Sequence, residues 1–196
     1  MTGQPRDTES LASLDEEPSV LVVSTRSPVV DRFVEWLATE WRVAVEGHPD
    51  EDRLRDSDVV VLDHADVAID ARAVADRLAA RGPTTQHVAV ADGDERPDAD
   101  LTVTASATHE ALRDVIASAS RRAAYARGVE RYFAAVRTRE LVRAGDGGGP
   151  SVRRLNDRVQ RLEAAVADVA TDLDDGDYRA LFRSLGPDDL GQAPSS

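Results

Sequence analysis

The chain has no cysteine and no lysine, and it is poor in aromatic residues, with two Trp, three Tyr and three Phe among 196 residues. Without cysteine there are no disulfides, thiolate metal sites or cysteine nucleophiles, and nothing is learned of the redox compartment. Without lysine, all 24 basic residues are arginine. Long apolar runs are missing too. None approaches the roughly 20 residues of a membrane span, and Met1–Pro18 has no signal-peptide core. The expectation is a soluble, cytoplasmic protein with no membrane partner. The 37 acidic residues outnumber the basic ones, giving a net charge of -13, which argues against nonspecific nucleic-acid binding.

What is present centres on Asp58-Val59-Val60-Val61-Leu62-Asp63, an unbroken β-branched run ending in a carboxylate. Such a run reads as a strand buried on both faces, the central position of a parallel sheet. Ligands and reacting groups in these sheets sit just past the carboxyl ends of the strands, which places Asp63 where chemistry would occur. Ser19–Val23 is a second such run. Ser27-Pro28 then supplies a cap and a first-turn proline for a helix burying Val30, Phe33, Val34 and Leu37. Trp41–Glu46 alternates and reads as an edge strand, and His48–Asp56 is at most a weak helix with Leu54 to bury. Asp70 caps a helix ending at Arg81-Gly82-Pro83, and His87–Ala91 and Leu101–Thr104 complete the strands. This alternation predicts a doubly wound, flavodoxin-like five-stranded parallel sheet. One joint is short. Asp92–Asp100 cannot supply the crossover helix that parallel neighbours usually have, so the fourth helix is missing.

The second half reads as helical. Thr108 opens a helix running to about Ala144, with Leu112, Val115, Ile116 and Ala119 toward the sheet. Tyr125, Val129, Tyr132 and Val136 continue beyond it. Gly145–Pro150 breaks this helix and is a turn rather than a phosphate loop, since it follows a helix and lacks the lysine. Val152, Leu155, Val159, Leu162, Val166, Val169 and Leu173 then keep strict 3-4 spacing, an a/d interaction seam over three heptads. The turn is short enough for an antiparallel hairpin with the preceding helix, the favoured pairing. A homodimer is the alternative. Tyr178, Leu181, Phe182 and Leu185 form a closing helix.

Taken together, these residues resemble a response-regulator receiver domain over about Ser19–Ser120, followed by the HalX domain of haloarchaeal regulators over about Arg121–Leu185. The receiver resemblance rests on strand order, on VLVV and on VVVLD ending in Asp63; the HalX resemblance rests on RRAAYARGVERYFA, the heptad segment and DDGDYRALFRSL. The composition, acidic and free of lysine and cysteine, is similarly that of salt-loving archaea. The implied division is a tail at 1–18, a receiver-like domain at 19–120, a HalX-like helical domain at 121–186 and a tail at 187–196. The resemblance makes Asp63 the phospho-acceptor candidate. It does not supply the rest of the chemistry. Ser24-Thr25 stand where receivers have an acidic pair for Mg²⁺, Ala91 or Asp92 where they have Ser or Thr, and Thr104 where they have lysine. Bringing a phosphoryl group onto a carboxylate needs a cation to stabilise the charge. The expectation is therefore that Asp63 bonds backbone N–H groups or Arg26 instead.

His48, His64, His87 and His109 lie in separate elements with no i, i+4 pairing, so no metal site, cofactor or small-molecule substrate is expected. His64 beside Asp63 could form an acid/base pair only if adjacent strand residues faced the same way, which they do not. Arg121, Arg122, Arg127, Arg131, Arg137, Arg139 and Arg143 make the long helix basic. Pairing with the acidic end of the partner helix (Asp168, Asp172, Asp174, Asp175) is favoured over DNA contact, because phosphate contacts weaken steeply with salt. The expected function is non-enzymatic signalling or transcriptional regulation by contact with protein partners of a sensory pathway. A DNA-associated regulator and a phosphorelay receiver using Asp63 are the alternatives. The missing helix suggests a docking groove beside Val88, Val90, Leu101 and Val103.

Overall fold

The computed structural model describes residues 17–92, 97–144 and 150–184. Eleven elements follow in the order β1 (Ser19–Val23), α1 (Ser27–Leu37), β2 (Arg42–Glu46), α2 (Glu51–Arg55), β3 (Val59–Asp63), α3 (Ala71–Ala79), β4 (Gln86–Val90), β5 (Leu101–Val103), α4 (His109–Ala144), α5 (Pro150–Thr171) and α6 (Asp175–Ser184). The strands form one parallel sheet in the order β2-β1-β3-β4-β5. This is the flavodoxin-like arrangement expected from the alternation of elements. Residues 1–16, 93–96, 145–149 and 185–196 lie outside the described residues, and with them most of the expected tail at 1–18, the one at 187–196, most of the Gly145–Pro150 turn and Leu185 of the expected closing helix.

Alternating side chains divide the core in two. Val20, Val22, Val59, Val61, Val88, Val90 and Val103 face α1 and α4, where Phe33, Leu37, Leu112, Ile116 and Ala119 meet them. Leu21, Val23, Val60 and Leu62 face α2 and α3, against Leu54, Val74 and Leu78. All five residues of β1, of β3 and of β4 are buried, which is why VLVV of β1, VVVL of β3 and VAV of β4 run apolar without alternation.

Two local expectations shift. Helix α1 is capped by Arg26 rather than Ser27, and no side chain bonds its first turn. The Arg26 side chain is used elsewhere, and the buried face is Val29, Phe33 and Leu37, with Val30 and Val34 only half-buried. Asp50 and Asp70 cap α2 and α3 by accepting from the Arg53 and Ala73 N–H groups. Among the described residues no helix joins β4 to β5.

At 36 residues, α4 is about 54 Å long. Its first half lies on the sheet and its second half packs against α5. The heptad seam turns toward α4 of the same chain. Val159, Leu162 and Leu173 are buried, Val152, Leu155, Val166 and Val169 half-buried, and Ala135, Tyr132 and Val136 meet Val159 and Leu162. Truncating Leu162 to Ala should therefore cost about 2–5 kcal/mol in urea melts, against about 0.5 kcal/mol or less for the exposed Arg161→Ala. Equal effects from the two changes would mean that the heptad is not packed.

Gly128 sets how closely the two helices approach. A Cβ there would stand 2.9 Å from the Val166 Cγ2. Alanine would gain about 1 kcal/mol of helix propensity, but overpacking against a stiff β-branched side chain typically costs about 1–3 kcal/mol. The expected outcome is that Gly128→Ala destabilises by about 1 kcal/mol and that adding Val166→Ala removes the penalty. A stabilised single variant would show that the helices are free to move apart.

Candidate functional site

The carboxyl ends of β1 and β3 bring together Ser24, Thr25, Arg26, Asp63 and Asp66. Asp63 is 1% exposed. Arg26 holds it with two parallel bonds, Nε to one oxygen and Nη2 to the other, each 2.7 Å, and Ser24 Oγ donates at 2.8 Å. The Ala65 N–H adds a bond at 3.2 Å. A bidentate guanidinium is the strongest partner a carboxylate can have among side chains. Ion pairing with Asp63 raises the Arg26 pKa, offsetting the effect of burial.

Asp66 is the second carboxylate of the site, and sequence reasoning passed over it. It is buried, accepts from the Thr25 N–H and from Thr25 Oγ1 at 2.7 Å, and receives the Ala68 N–H at 3.0 Å. Burial pushes its pKa up, but these bonds outweigh burial and hold the carboxyl below the usual range. Its only signal was a position three residues after a strand-end aspartate, too common a pattern to single out.

The segment after β1 carries two hydroxyls, Ser24 and Thr25, and the Arg26 guanidinium, all turned to these two carboxylates. Thr104, at the end of β5, pairs its hydroxyl with Ser106 at 3.3 Å. The expected bond between Asp63 and Arg26 is present.

The groove expectation is corrected. Val88, Val90 and Val103 are 0%, 1% and 5% exposed, and they lie beneath α4, with Leu101 partly buried against the same cluster. On the opposite face, that of α2 and α3, the register places His87, Ala89 and Thr102, and among the described residues no helix joins β4 to β5 there. There a cavity of about 440 Å³ opens between α3 and the segment leading into β5, lined by Leu78, Pro83, His87, Asp98 and Asp100 among others.

Two histidines from separate elements meet in the fold. His64 and His87, 23 residues apart, bring their Nε2 atoms to 3.5 Å, with ring centroids 5.6 Å apart. His64 thus meets His87, while Asp63 is taken by Arg26. Burial, helped by the neighbouring His64 ring, pushes the His87 pKa down to about 4.

Five of the seven named arginines of α4 find acidic partners, though different ones from those expected. Arg122 and Arg121 pair with Asp177 of α6, at 2.7 and 3.6 Å, and Arg127 pairs with Asp58 at the start of β3. Arg139 and Arg143 pair with Glu140 on their own helix. Among the described residues no helix is long and apolar enough to cross a membrane.

No protein-family model matches the chain, and no curated protein matches it in sequence.

Proposed function

We propose that the chain is a non-enzymatic signal-transduction or transcription-regulatory protein, a degenerate receiver-like domain joined to a HalX-like helical module, acting by contact with protein partners. The observation that carries this reading is the Arg26–Asp63 pair. A phosphoryl group needs an incoming cation and a free carboxylate oxygen. Here both Asp63 oxygens accept from the chain's own Arg26 guanidinium. Arg121, Arg122 and Arg127 are spent on internal ion pairs, which favours protein contact over DNA contact for this helix.

The test is incubation with acetyl phosphate and Mg²⁺ followed by intact-mass measurement. The expected result is no phosphate adduct. A stoichiometric adduct abolished by Asp63→Asn would establish the phosphorelay alternative instead.

A further inference from the structure

We propose that His64 and His87 form a binding site for a divalent d-block cation such as Zn²⁺, with water completing the coordination. Two imidazole nitrogens bound to one tetrahedral ion at about 2.0–2.1 Å stand about 3.4 Å apart. The two Nε2 atoms are 3.5 Å apart, and they face each other, because the ring centroids lie farther apart by nearly two ring radii. Turning each ring so that both lone pairs meet at a point beside the N–N line makes this pair a ligand pair.

A ligand pair needs both Nε2 atoms unprotonated, with each ring proton on Nδ1. The His87 backbone is held: its N–H donates to Asp100 Oδ2 at 2.7 Å.

His87 is buried and lines the 440 Å³ cavity together with Asp76, Asp98 and Asp100, while His64 is half-buried. Among the described residues no set of three or more His, Cys, Asp or Glu side chains converges on one point. The site therefore has two protein ligands, and its ion exchanges with solvent. Imidazole nitrogen selects Cu²⁺, Ni²⁺ and Zn²⁺ over Mg²⁺ and Ca²⁺.

The test is titration of the full chain, in molar KCl and phosphate-free buffer, with Zn²⁺, Ni²⁺ and Mg²⁺. Calorimetry is the first readout, and the ¹⁵N shifts of the four histidines are the second. The expected result is one equivalent of Zn²⁺ or Ni²⁺ bound, with only the His64 and His87 Nε2 signals displaced. Mg²⁺ should be without effect. Either His64→Ala or His87→Gln should weaken binding by more than tenfold, and His48→Ala should leave it unchanged. Because His87 is buried, its variant is compared by circular dichroism; if it does not fold, the half-buried His64 decides. No uptake at millimolar metal, or uptake that survives His64→Ala, overturns the proposal and leaves the two rings as a hydrogen-bonded pair only.

Discussion

Replacing Asp177 by Ala is expected to cost about 3–5 kcal/mol, the usual consequence of leaving a buried charge without its partner. Asp177 is wholly buried, and Arg122, beneath it on α4, is 6% exposed. One Asp177 oxygen accepts from Arg122 Nε at 2.7 Å and from Ser118 Oγ at 2.5 Å. The other receives the Asp174 N–H at 3.3 Å, while Asp174 accepts from the Asp177 N–H at 2.8 Å. This is a reciprocal capping box, so one carboxylate both starts α6 and fastens it to α4. Asp177→Asn keeps the shape and should cost less. Arg122→Leu in the Asp177→Ala background should recover much of the loss, since it removes the orphaned cation. Urea melts in molar KCl measure all three. A loss below about 1 kcal/mol for Asp177→Ala would mean that the pair is not buried in solution.

The same group sets an acid limit. Burial raises the Asp177 pKa, but the bonds from Ser118, Arg122 and the Asp174 backbone outweigh it and leave the carboxyl below its usual value. A carboxyl depressed in the folded state contributes stability that is fully present above the unfolded value near 3.9. That stability is lost as pH falls through the folded value. Asp66 acts in the same direction. Asp177→Asn should therefore narrow the stability difference from wild type as the pH is lowered below about 4.

The sheet was legible because β1 and β3 are β-branched runs buried on both faces, and only a parallel interior position accepts such runs. The same property hid the direction of the open face. Strand β4 is buried throughout, so no polar alternation indicated whether Val88 or His87 lay under α4. The heptad seam was legible from spacing alone, because every position repeats one contact. Gly128 was not, since its role appears only once Val166 stands opposite it. Arg26, Asp66 and the two histidines belong to the same class. Their partners are far away in sequence, and no periodicity links Asp66 to Thr25 or His64 to His87.

The second large effect concerns Arg26. Removing its side chain leaves Asp63, 1% exposed in the intact chain, with Ser24 Oγ at 2.8 Å and the Ala65 N–H at 3.2 Å as its remaining partners. An isolated carboxylate in that position is expected to destabilise the fold by about 3–5 kcal/mol, or to take up a proton instead. Replacing both partners, Arg26→Met with Asp63→Leu, should be close to neutral. These comparisons separate the worth of the pair from the cost of breaking it, which a single variant cannot do. Opening the site should not create a phosphorylation site. Ser24 and Thr25 offer hydroxyls where a metal needs carboxylates, and Thr104 supplies no cation. Arg26→Ala should remain unmodified by acetyl phosphate and Mg²⁺, as judged by intact mass. An adduct in this variant but not in wild type would mean that the guanidinium alone blocks a site that is otherwise competent.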